Sequence, residues 1–178
     1  MFIISLLHNR LFIENNLLTN IVMALEIEHK FLLKNNDWKK DIKKSTQYKQ
    51  GYLISDNKRS VRIRTSYNKA WLNIKSATIG THRQEYEYEI PLSEGEEILD
   101  KLCEKPLIEK IRHLVPHKKH IWEIDVFSGE NEGLIVAEIE LTQIGEHFSK
   151  PAWIDKEVTD DLRYYNNQLC QNPYNKWR

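Results

Sequence analysis

Charged side chains in this chain fall at alternate positions, and their types point to one kind of chemistry. Glu26, Glu28 and Lys30 alternate with Ile27 and His29; Arg62 and Arg64 flank Ile63; Lys110 and Arg112 flank Ile111; Glu138 and Glu140 flank Ile139. In "RQEYEYEI" Arg83, Glu85, Glu87 and Glu89 share one register and Gln84, Tyr86, Tyr88 and Ile90 the other. "WEIDVF" repeats the pattern with Glu123 and Asp125, and Lys75 closes "LNIK". Arginine forks match phosphate oxygens two at a time, and lysine supplies compact positive charge. Carboxylate clusters without His or Cys suit hard cations such as Mg2+ or Mn2+. Brought into one space, the two sets would take a polyphosphate together with divalent metal. Spread over a solvated surface, they would be ion pairs contributing about 0–1 kcal/mol each.

Alternation at period two places these residues on β-strands, with charge on one side and apolar residues on the other. Strand-like runs recur at residues 25–33, 47–55, 60–67, 69–76, 82–91, 106–115, 118–128 and 133–142, joined by polar turns such as "SDNK", "YNKA" and "SGENEG". Antiparallel hairpins follow from such turns, and eight strands can close a barrel. Within most motifs the charges share a sign, so neutralisation must come from other strands. The expected fold is therefore α+β: a closed eight-stranded antiparallel β-barrel, charged inside, with flanking helices. Its lumen would be a tunnel with a basic and an acidic wall, wet or filled with ions, because unpaired buried charge is costly. One helix is expected over residues 93–105, with Ser93 and Glu96 as a capping box and Ile98, Leu99, Leu102 and Cys103 on one face. A second should begin near Thr159, where Asp160 and Asp161 favour a helix start, and run to Pro173.

The remaining composition narrows the function classes. A chain of 178 residues favours one domain, and its 26 basic and 26 acidic residues cancel. That balance argues against a general nucleic-acid binder or a basic membrane-surface protein. Cys103 and Cys170 have neither disulfide-framework nor metal-site spacing, which suits a reducing cytoplasm. Residues 1–22 are apolar but interrupted by Arg10, Glu14 and several Asn, too short and broken to span a membrane and unlike a signal peptide. A translation start at Met23 is the preferred reading, with 1–22 an over-extended start or loose tail and 23–178 the domain. Trp38, Trp71, Trp122 and Trp153 are assigned to packing or to a homodimer contact.

With these motifs in order, the chain resembles the CYTH-domain proteins of the triphosphate tunnel metalloenzyme family. "EIEHK" fits the family's E-x-E-x-K signature, and "GYL", "VRIR", "LNIK", "RQEYEYEI", "IEKIR", "WEIDVF", "GLIVAEIEL" and "PAWIDKEVTDDLRYYN" extend the match over about residues 25–175. The resemblance implies an antiparallel eight-stranded tunnel and metal-dependent hydrolysis of a triphosphate, with tripolyphosphate cleaved to pyrophosphate and phosphate. It leaves thiamine triphosphatase, nucleoside triphosphatase, adenylate cyclase and a non-catalytic polyphosphate-binding module as alternatives. Carried over by motif, Glu26, Glu28, Glu138 and Glu140 hold Mg2+ or Mn2+. Lys30, Arg62, Arg64, Lys75, Arg83, Lys110, Arg112 and Lys156 bind phosphate oxygens, and Glu138, Glu140 and Lys30 are the catalytic set. Glu85, Glu87 and Asp125 either touch metal or orient the basic residues. Lys156 either reaches a tunnel mouth or is solvated, and Tyr52 either lines the lumen or packs outside. His29 stands where the family often has Arg, and Asp155 where it often has Gly.

Overall fold

A computed structural model describes residues 25–56, 58–77 and 82–177, with the side chains of residues 25, 26, 82 and 83 outside that description. The extension at 1–22 and the start at Met23 lie outside the described residues. Eight strands follow the alternating motifs: β1 (Leu25–Leu33), β2 (Lys44–Ser55), β3 (Arg59–Ser66), β4 (Lys69–Ser76), β5 (His82–Ile90), β6 (Ile108–His117), β7 (His120–Ser128) and β8 (Ile135–Leu141). A ninth, β9 (Ile154–Glu157), was not expected. Two α-helices, α1 (Leu92–Lys101) and α2 (Asn166–Gln171), complete the regular structure with short 3-10 turns. No helix among the described residues is long and apolar enough to cross a membrane.

The strands form one antiparallel sheet in the order β5-β4-β3-β2-β6-β7-β8-β1-β9. It curls far enough for β1 to meet β5 as well, through the pairs Leu25↔Gln84, Glu26↔Arg83 and Ile27↔His82. Full closure of an eight-stranded barrel goes beyond those three pairs. The physical reason lies in the free edge of β1: beyond Ile27 it is taken by β9, which pairs Phe31↔Glu157 and Leu33↔Ile154.

Residues directly opposite in register share a face, and the ladders carry the charged positions round the sheet. Lys30 faces Glu138, Glu138 faces Glu123, and Asp125 faces Arg112. Tyr52 faces Arg62, Arg62 faces Asn73, and Asn73 faces Glu87. The opposite, apolar face is covered in two places. Ile27, Phe31, Trp122, Ile124 and Ile139 bury against Trp38 from the 3-10 turn Asp37–Asp41 and against Trp153 and Ile154. Ile63 buries under Leu99 and Cys103, at the end of β3 that α1 covers. Trp38, Trp122 and Trp153 are thus core residues.

The charged face has an apolar end. Tyr52, Ile108, Phe127 and Val136 share it and are buried together with Leu169 and Cys170 of α2. Tyr52 therefore lies on the charged side, in its apolar plug. Two helix expectations need correction. α1 starts directly after Pro91, with no side-chain cap, because Ser93 and Glu96 already lie inside the first turns. The C-terminal helix is broken at Tyr165, whose backbone is extended between the 3-10 turn Leu162–Tyr164 and α2. Burial of that ring, and its hydroxyl donating to the Thr159 carbonyl at 3.0 Å, hold the break.

Contact between α1 and the sheet is closest at Gly95, where a Cβ would stand 2.4 Å from the Cβ of buried Ala70. Alanine in a helix interior ordinarily gains up to ~1 kcal/mol over glycine. Here the neighbour is a short side chain fixed to a strand, so overpacking outweighs propensity. Gly95→Ala should destabilise the fold by about 1–3 kcal/mol in urea unfolding, and Ala70→Gly in the same chain should restore much of the loss.

Candidate active site

Two clusters occupy the charged face. The first spans β1, β6, β7 and β8. Lys30 Nζ donates to Glu138 Oε1 at 2.5 Å and Glu28 Oε2 at 3.1 Å. Arg112 reaches three carboxylates: Nε to Asp125 Oδ1 at 2.7 Å, Nη2 to Asp125 Oδ2 at 2.6 Å and to Glu138 Oε2 at 2.5 Å, and Nη1 to Glu123. Lys110 also donates to Asp125. Lys30, Lys110, Asp125 and Glu138 are all buried. Glu140 faces Glu28 in register but stands at the exposed end of β8.

Both oxygens of Glu138 are held by cations. Burial alone would raise its pKa, but Lys30, Arg112 and Lys110 together hold it well below the usual carboxylate range. Burial likewise works against the Arg112 charge, yet Asp125, Glu123 and Glu138 outweigh it and its pKa rises. For Lys110 burial wins: its pKa falls to about 8 despite Asp125. Burial pushes Glu123 up, against the pull of Arg112.

A second cluster spans β2 to β5. Arg64 Nη2 donates to Glu87 Oε2 at 2.6 Å and lies between the rings of Tyr48 and Trp71, 5.1 and 5.2 Å from their centroids. Lys75 pairs with Glu85 at 3.1 Å. Asn73 Nδ2 donates to Glu87 Oε2 at 2.5 Å and Glu85 Oε1 at 3.1 Å. Arg62 is 7% exposed, and its Nε has no hydrogen-bond partner among the described residues. No ion pair reaches it there either. Burial and the neighbouring Arg62 charge lower the Arg64 pKa.

Charge is unequally divided between the clusters. On the β1/β6/β7/β8 side, Lys30, Lys110 and Arg112 face the carboxylates Glu28, Glu123, Asp125 and Glu138, with Glu140 a fifth at the rim. On the β3/β4/β5 side, Arg62, Arg64 and Lys75 face the carboxylates Glu85 and Glu87 among the described residues. Among the described residues, one wall carries excess carboxylate and the other a guanidinium, that of Arg62, without a carboxylate partner.

Of the residues singled out from the sequence, Glu28, Lys30, Arg62, Arg64, Lys75, Lys110, Arg112, Glu138 and Glu140 all lie on this face. Glu26 and Arg83 pair in the β1–β5 ladder, and their side chains lie outside the described residues. Lys156 is exposed on β9, where its charge acts on Asp161, and among the described residues it joins neither cluster. The oxygens of Glu85, Glu87 and Asp125 are engaged by Lys75, Asn73, Arg64, Lys110 and Arg112. Among the described residues no three His, Cys, Asp or Glu side chains are gathered at metal-binding spacing. The donor set still fits a hard cation. Oxygens of Glu28 and Glu138 converge on one positively charged atom, Lys30 Nζ, which shows that the pair can share a cation.

Sequence reading passed over several contributors. Gln50 and Asn73 are fully buried on the charged face; their parity with Tyr52 and Lys75 was the available signal. Thr159 accepts from the Lys30 backbone N–H at 3.0 Å, and the Tyr165 ring lies 5.1 Å from Lys30 Nζ. No short-range pattern predicts those two contacts.

Comparison with known proteins agrees with this architecture. The CYTH domain family matches residues 24–171. An inorganic triphosphatase of Acetivibrio thermocellus is 47% identical, over 88% of this chain and 99% of that protein. One of Nitrosomonas europaea is 32% identical, over 82% of this chain and 96% of that protein. Among solved structures, the crystal structure of an inorganic triphosphatase has TM-score 0.60 and 30% identity, covering 82% of this chain and 93% of its own. A Pyrococcus horikoshii protein at TM-score 0.51 and 18% identity, covering 67% of this chain and 80% of its own, shares the fold alone. With its charged strands in this order and the family match spanning β1 to α2, the chain belongs to the CYTH domain family.

Proposed function

We propose that this chain is a metal-dependent inorganic triphosphatase, cleaving tripolyphosphate to pyrophosphate and phosphate within a sheet closed into a tunnel. The observation that carries the reading is the division of charge on one face: among the described residues, excess carboxylate on the β1/β8 wall and, on β3, a buried guanidinium without a carboxylate partner. The two inorganic triphosphatases that are 47% and 32% identical over most of the chain support it.

In this reading Glu28, Glu138 and Glu140, with Glu26, hold Mg2+ or Mn2+, which supplies charge neutralisation and a more acidic bound water. Arg62, Arg64, Lys75, Lys110, Arg112 and Lys30 bind phosphate oxygens. Phosphoryl transfer asks a protein mainly for positioning and charge stabilisation, and an array of cations anchored by buried carboxylates is pre-oriented for both. Glu138, held ionised by three cations, keeps its charge through neutral pH and serves as a fixed negative centre. Asp125, Glu85 and Glu87 orient the basic residues. Two buried free thiols suit a cytoplasmic setting.

Phosphate release should be fastest on tripolyphosphate, compared with thiamine triphosphate, ATP and GTP, in Mg2+ or Mn2+, and should stop on chelation. Glu140 sits at an exposed strand end, so Glu140→Gln separates chemistry from folding: turnover at saturating metal should drop about 10–100-fold while unfolding free energy changes by less than ~0.5 kcal/mol. Wild-type turnover in that variant would remove Glu140 from the metal set.

Lys110 sets an alkaline limit. Its pKa in the fold, about 8, lies below the ordinary lysine value, so its charge is present at lower pH and lost as pH rises through about 8. kcat/KM for tripolyphosphate should therefore decline above that point. Lys110→Arg, which stays charged, should flatten the limb; a limb unchanged in that variant would assign it to another group.

A further inference from the structure

We infer that Gln50 is a substrate-binding residue, donating its amide N–H to a phosphoryl oxygen beside Arg62; this rests on the triphosphatase reading. Gln50 is 1% exposed, and its Nε2 has no hydrogen-bond partner among the described residues. A buried amide donor left unpaired is costly, and most such groups in folded proteins have partners. Two further donors on the same face share that condition, Arg62 Nε and Arg64 Nε.

Register brings the three together. Gln50 faces Arg64 directly across the β2–β3 ladder, and Tyr52, two residues on, faces Arg62. Gln50 and Arg62 are thus diagonal neighbours on one face, within reach of long side chains. The missing partner for these donors must offer several acceptors and tolerate the net positive charge left by Arg62. A polyphosphate anion meets each requirement. On the other side Gln50 faces Ile108, part of the apolar plug with Tyr52 and Leu169. The amide is therefore a polar group seated against the β6 side of that plug. A neutral donor extends the grip on the anion there without adding charge to be desolvated.

Two substitutions test this with opposite demands on stability and binding. Gln50→Met keeps length and removes the donor. Gln50→Glu places a carboxylate where Arg62 lacks a partner. Tripolyphosphate binding, measured by calorimetry in chelator so that it is not consumed, should weaken roughly tenfold or more in Gln50→Met, as for loss of one hydrogen bond to a charged group. Gln50→Glu should weaken it further, with KM rising more than kcat falls. Thermal unfolding without ligand should be unchanged or higher in Gln50→Glu, because the new carboxylate compensates Arg62. A purely structural glutamine would give the reverse, with lower stability and normal affinity in whatever folds, and that overturns the inference, as does unfolding of both variants. Wild-type chain that turns over tripolyphosphate while both variants bind it normally also sinks the role of Gln50 alone. Wild-type chain that neither binds nor hydrolyses it removes the triphosphatase reading and this inference with it.

Discussion

Counter-charge on a buried surface is the constraint on which this structure depends. Lys30, Arg62, Lys75, Lys110, Asp125 and Glu138 are all buried on one side of a single sheet. Removing such groups from water costs on the order of several kcal/mol per ion, recovered only when geometry and hydrogen bonding are good. The strand register supplies that geometry. Lys30 opposite Glu138 and Arg112 opposite Asp125 are ladder partners, so the ion pairs form when the strands pair correctly. A slip of one residue in any strand would turn its charges into the apolar core and its apolar residues into the ionic cluster. The electrostatics thus specify register more than they stabilise it.

Stability has to come from the other face. Phe31, Trp122, Ile124 and Ile139 bury under Trp38, Trp153 and Ile154, while Ile63 is closed off by α1. Apolar burial at about 25 cal/mol per Å2 is the term that offsets ionic desolvation. The segments covering this face also fix the charged one. Val158 and Thr159, following β9, hydrogen-bond the Lys30 backbone on both its carbonyl and its N–H. Tyr165 breaks the C-terminal helix and lies against the Lys30 ammonium. Covering the core and aiming the Lys30 ammonium are therefore two results of one stretch of chain.

That division explains what could be read in advance. Parity alone identifies β1 to β8 and gathers Glu28, Lys30, Arg62, Arg64, Lys75, Lys110, Arg112, Glu138 and Glu140 on one face, because a strand's alternation is local. β9 has four residues, too few to show a pattern, and exists because the edge of β1 was open to it. The break at Tyr165 depends on a carbonyl six residues away in an irregular segment. Gln50 and Asn73 stood at the right parity, but a neutral amide carries no charge signature and reads as an ordinary surface residue. Lys156 shows the converse: a family motif surrounds it, yet its backbone lies on an exposed edge strand.

The unequal walls have a consequence for how ligands enter. In the free chain Glu138 is neutralised by Lys30 and Arg112, the same cations that the proposed reaction needs on phosphate. A divalent cation taking up Glu138 and an anion taking up Lys30 and Arg112 would each relieve the other of a competing partner. Their binding free energies are then linked, and linkage of this kind is reciprocal: each ligand raises the affinity for the other by the same factor. Arg62 stands outside that exchange, since among the described residues no carboxylate holds it. It can take an anion without breaking an internal pair, whereas Lys30 and Arg112 cannot. In the proposed reading an anion would take a seat on β3 before metal, and the network around Glu138 would open only when both charges had arrived.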